Sequence, residues 1–135
     1  MFLTDEDYDA QIRNEVMAVV SSSAITRQKA ELMAQSQMEE SLNGRYKVGE
    51  IFSATGEDRN PIVMMYMIDL TLYHLHSKSA TRMIPKIRLD RFDAAKEWLK
   101  LVRGGDLNPD LPLLDEDTAK YFIRLGCNKK RSSDW

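Results

Sequence analysis

The stretch Ile62-Val63-Met64-Met65-Tyr66-Met67, continued by Ile68, Leu70, Leu72, Tyr73 and Leu75, constrains this chain most. Asn60-Pro61 stands directly before it, an N-cap residue followed by the imino acid favoured at the first helical position. A helix apolar nearly all round has no side suited to water and belongs in the middle of a bundle. Asp69 interrupts the stretch, which falls short of the ~20 residues needed to cross a bilayer. A central, buried helix is expected, and no membrane partner.

Three further helices are expected around it. In the first, Thr4 is a suitable N-cap and Asp5, Glu6 and Asp7 lie where the helix dipole favours acids. Leu3 and Tyr8 are placed to close a hydrophobic staple, and Ile12, Val16 and Val19-Val20 continue the stripe. From Ser23 to Asn43, Ala30, Ala34, Met38 and Leu42 recur at i+4, flanked by Ile25 and Leu32. Arg27, Lys29, Glu31, Gln35, Glu39 and Glu40 are expected to face water there. Asn43-Gly44 offers a left-handed stop. The last helix runs from Pro85 to Gly104-Gly105, with Ile87, Ala94-Ala95, Trp98-Leu99 and Val102 inward and Lys86, Arg88 and Arg91 outward. Arg45 to Gly56 is expected to be an irregular connection whose Tyr46, Val48, Ile51 and Phe52 pack back over the core.

These elements predict an all-α protein: a compact, four-helix bundle-like domain over residues 1–105 and an extended C-terminal arm over 106–135. Pro109 and Pro112 punctuate the start of the arm, and Ala119 to Leu125 is expected to be a short strand or an extended arm. A chain of 135 residues suits one domain. It has 19 basic and 21 acidic side chains, a net charge of −2 that offers no general affinity for nucleic acid. The first residues lack the basic region of a signal peptide. Cys127 is the lone cysteine, so neither an internal disulfide nor a cysteine-based zinc site is expected. The expected location is the cell interior.

No catalytic constellation emerges. His74 and His76 are two apart, so on a helix they point away from each other and cannot share a metal ion. One is expected packed and one in solvent. Asp69 needs a partner if buried, with Tyr66 and Tyr73 near it on the helix and Arg45 or Arg91 as candidates from other elements, and a structural role is favoured. Phosphate-binding glycine spacings and nucleophile elbows are absent. Lys129-Lys130-Arg131 is too short a basic run to read a groove. Neither a cofactor nor a metal is expected.

Phe2-Leu3-Thr4-Asp5-Glu6-Asp7, Ser41-Leu42-Asn43-Gly44-Arg45-Tyr46, Ile51-Phe52, Asn60-Pro61 and the helix from Met67 to Leu75 follow one another in an order that resembles the Mu-like prophage head-tail connector family. Arg91 to Leu99, the glycine stop with its proline-containing exit, and Phe122 to Arg131 complete the resemblance. It implies a non-enzymatic subunit of the phage neck. Such a subunit would form a homo-oligomeric ring between the portal or head and tail-side proteins, in the host cytoplasm during assembly and then in the virion. The expected contact residues are Arg45, Tyr46, Ile51, Phe52, Tyr121, Phe122, Arg124, Lys129, Lys130, Arg131 and Trp135. The alternatives are a small helical regulatory or nucleic-acid-binding module, with Lys86, Arg88, Arg91 and the tail as its basic face, and a tail-completion or assembly protein.

Overall fold

A computed structural model describes residues 2–9, 24–78 and 84–114. They form five α-helices: α1 (Asp5–Tyr8), α2 (Ala24–Leu42), α3 (Val48–Ser53), α4 (Pro61–Lys78) and α5 (Lys86–Gly104). A 3₁₀ turn, Gly56–Asp58, lies between α3 and α4, and no strand occurs among the described residues. The all-α class therefore holds. The described residues contain three long helices rather than four; the expected stripe at Ile12, Val16, Val19 and Val20 lies outside them.

α4 is the centre, as its composition requires. Val63, Met67, Ile68, Leu70, Leu72 and Leu75 are buried around nearly its whole circumference. Its start follows from Asn60, whose Oδ1 accepts hydrogen bonds from the amides of Ile62 (2.9 Å) and Val63 (3.1 Å). These amides have no carbonyl one turn earlier to bind. Asn60→Ala is expected to cost about 1 kcal/mol of stability in a urea melt; an unchanged midpoint would show that the cap is redundant with Pro61.

α2 presents Ala30, Ala34, Met38 and Leu42 to the core, as the i+4 spacing demands. Small residues at 30 and 34 allow its backbone to approach closely. α5 contributes Ala95, Trp98, Leu99 and Val102 and runs antiparallel to α4. That direction shows in the ring pairs: Tyr66 lies 5.0 Å from Trp98, and Tyr73 stacks on Phe92 at 3.7 Å.

Several expectations from periodicity are corrected. Glu31 is buried because the Tyr8 hydroxyl reaches across from α1 and donates to its carboxylate. Arg88 is buried against Asp69, while Ile87 and Ala94 face outward, so the inner stripe of α5 is rotated from the one expected. Leu32 does not flank the core but is 58% exposed. Residues 45–56 are not irregular: they hold α3, a six-residue helix that buries Ile51 and Phe52. Gly44 is not left-handed; the turn after α2 closes instead through the amides of Arg45 and Tyr46, both donating to the Leu42 carbonyl.

The N-terminal segment is held by Arg59. Its guanidinium forms a two-point pair with Asp7 (2.6 and 3.2 Å) and also donates to the Phe2 carbonyl at 2.7 Å. Phe2 meets Phe52 edge-on at 5.2 Å, which seats the chain start on α3. The planar fork of arginine suits this double role, for which a lysine point charge would not substitute.

Candidate functional site

The end of the molecule that carries the Arg45 turn is built from three segments distant in sequence. α5 stops at Gly105, whose φ of 83° is left-handed and suits glycine. A Cβ at this position would also collide with Arg45 Nη1. Beyond the stop, the chain turns back on the body. The Lys47 amide donates to the Pro112 carbonyl (2.8 Å), and the Leu114 amide donates to the Arg45 carbonyl (3.1 Å). These bonds frame an isolated antiparallel bridge between Tyr46 and Leu113. Asn60 Nδ2 donates to the Asp110 carbonyl at 3.4 Å, Arg45 Nη2 donates to Asn108 Oδ1 at 3.2 Å, and Leu111 enters the core.

Of the expected contact residues, Arg45 is exposed here. Tyr46, Ile51 and Phe52 are buried in the chain's own core, so none of the three offers its side chain to a partner. An apolar side chain in a connecting segment can be covered by its own domain or by another; here the domain covers it. Tyr121, Phe122, Arg124, Lys129, Lys130, Arg131 and Trp135 lie outside the described residues, as does Cys127. Leu107 and Leu113, which sequence reasoning did not single out, are exposed on the returning chain.

The buried polar groups act between helices. Asp69 Oδ1 accepts from Arg91 Nε at 2.7 Å and lies 4.0 Å from Arg88 Nη1. Arg91 was among the partners expected for Asp69; Arg45 instead serves the exit chain. Burial raises the Asp69 pKa above its ordinary value, and the two guanidiniums only partly oppose this. The same arrangement turns Arg88 and Arg91 inward, and Lys86 is paired with Asp90 at 3.4 Å. Arg88 and Arg91 thus do not form an outward basic face with Lys86. Among the described residues no group of three or more His, Cys, Asp or Glu is placed to hold a metal ion.

Comparison of the chain with protein-family models, curated proteins and solved structures found no match.

His76 is buried with Nε2 lacking a hydrogen-bond partner among the described residues, whereas His74 is half-buried and bonded to Gln37 Oε1 at 2.7 Å. Neither is solvent-facing, a correction to the expectation of one packed and one exposed ring. Burial lowers both pKa values from 6.5, and the Arg88 charge lowers His76 further. As pH falls below about 6.5, the unfolded chain takes up protons that the folded chain refuses, so this contribution to stability is progressively lost. Asp69 and Glu31 have raised values, so they act in the opposite sense, losing stability as pH rises above about 4. The difference between variants isolates one ring. His76→Gln is expected to reduce the loss in midpoint between pH 7 and pH 5.5 in urea titrations; an identical loss would assign it elsewhere.

Two open grooves flank the body. One of about 580 Å³ runs between α2 and α5 and is lined by three acids, Glu40, Asp93 and Glu97, and three bases, Lys96, Lys100 and Arg103. Another of about 500 Å³ is lined by Glu6, Asp7, Met64, Met65, Ile68 and Arg91. The first is balanced in charge, and the second combines flexible apolar side chains with two carboxylates and one cation.

Proposed function

We propose that this chain is a non-enzymatic structural subunit of a phage or prophage neck, one copy of a ring that joins the portal or head to the tail. The observation that carries this reading is the fixed exit of the chain. Backbone hydrogen bonds at Lys47 and Leu114 hold the returning segment beside exposed Arg45 and present Leu113, 62% exposed, at the surface. A segment anchored at its root is suited to reach a neighbour from a defined point, which the mechanism of a connector requires. Its basis is geometric: the helical body sets the spacing, and the surface beside the anchored exit docks. The interior supports this division, because Asp69, Arg91, Glu31 and Tyr8 pair with one another across helices. No helix of the described residues is long and apolar enough to cross a membrane.

The test is quantitative mass spectrometry of purified particles induced from the source strain. A low, fixed copy number, far below that of the major capsid protein, is the expected result. Absence from intact particles would overturn the neck assignment and favour an assembly factor. The complementary test is truncation. A stop after Gly105 would remove core residue Leu111 and both anchoring bonds, so the informative stop lies after Leu114. That variant is expected to fold, as judged by circular dichroism, and to fail in joining heads to tails.

A further inference from the structure

We infer that the outward face of α2 is a self-association surface, on which a second copy of this chain docks antiparallel about a two-fold axis. The face is made by Lys29, Leu32, Met33, Ser36 and Glu40, which helical periodicity places together on the side opposite Ala30, Ala34 and Met38. Leu32 is 58% and Met33 53% exposed, adjacent large apolar groups on a helix whose other side is fully engaged with the core. Beside them lies an open depression of about 430 Å³ lined by Leu32, Met33, Ser36, Gln37 and His74. Protrusion and depression thus share one surface, the condition for an isologous contact.

The charges identify the occupant as another copy. Lys29 and Glu40 are exposed and form no ion pair among the described residues. Their midpoint along the helix coincides with the midpoint of Met33 and Ser36. An antiparallel partner centred there sets Met33 opposite the partner's Ser36, a long flexible side chain against a small one. The same register sets Lys29 opposite the partner's Glu40, and Glu40 opposite the partner's Lys29. Both ion pairs form at once, at the two ends of the apolar centre. A parallel pairing in register would instead set like charges side by side. One helix face is a small interface, so the dimer is expected to be weak, with Kd on the order of micromolar.

This inference does not rest on the neck reading. A two-fold contact closes on itself, whereas a ring grows through unlike surfaces, so the two can fail separately. The experiment is sedimentation equilibrium of the full chain from low to high micromolar concentration. A concentration-dependent monomer–dimer equilibrium is expected. Lys29→Glu and Glu40→Lys should each weaken it by about tenfold, because each reverses two symmetric pairs. The double variant K29E/E40K should restore it, because the pairs then form with exchanged signs. Both substituted positions are exposed, and circular dichroism should show unchanged folding. A chain that is monomeric throughout overturns the inference, as does a dimer whose strength ignores both single reversals or is not rescued by the double one.

Discussion

Asp69→Ala is expected to lower the unfolding free energy by about 3 kcal/mol, measured from urea unfolding with an unchanged m value. The Asp69 side chain is 1% exposed, and its loss removes from the interior the carboxylate that accepts from Arg91 and faces Arg88, whose own side chain is 9% exposed. The value lies at the lower end for broken buried pairs because the Arg91 side chain is 34% exposed and can turn to water. Asp69→Asn should cost less, since the amide oxygen still accepts the Arg91 bond. A loss below about 1 kcal/mol for the alanine variant would show that the carboxylate is not a strut between α4 and α5. Replacing all three charged groups by apolar ones should recover much of the stability, because desolvation of the charges would no longer oppose folding.

Trp98→Ala is expected to cost about 3–5 kcal/mol, the largest effect of any single truncation at the α4–α5 interface. Trp98 is buried and meets Tyr66 at 5.0 Å, so the substitution removes ring contact from α4 as well as apolar area from α5. Trp98→Phe should retain most of the stability. The check is thermal unfolding followed by circular dichroism. A midpoint within a few degrees of the parent would mean that the neighbouring helices collapse into the space, and that packing here is less specific than the ring geometry implies.

Features governed by neighbours along the chain were legible in the sequence. Asn60-Pro61 marked the start of α4, Gly105 its counterpart at the end of α5, and the 3.6-residue repeat placed Ala34, Met38 and Leu42 inside. Features governed by distant partners were not. Nothing near Glu31 indicates burial; its partner Tyr8 comes from another helix, and charged residues between apolar ones ordinarily face water. Arg88 was placed outside for the same reason, although the expectation that buried Asp69 needs an arginine pointed to the helix that supplies it. α3 was hidden because six residues containing Gly49 are too few for a periodic signal, and its stability comes from packing Ile51 and Phe52. That same packing removed Tyr46, Ile51 and Phe52 from the contact surface. The exposed face of α2 around Leu32 and Met33 was not legible, because Leu32 stands beside the i+4 stripe in sequence and its exposure depends on how α4 and α5 sit.

The bridge between Tyr46 and Leu113 has a kinetic meaning. It joins segments separated by three entire helices, α3, α4 and α5, so its closure forfeits more chain freedom than any contact between helices adjacent in sequence. Forming it before α4 and α5 have docked would bring little reward, and it is therefore a late event in folding. In native-state hydrogen exchange, the amides of Lys47 and Leu114 should open with a lower free energy than those in the middle of α4. The exit can then loosen while the helical core remains intact, which separates the lifetime of the docking edge from that of the domain that carries it.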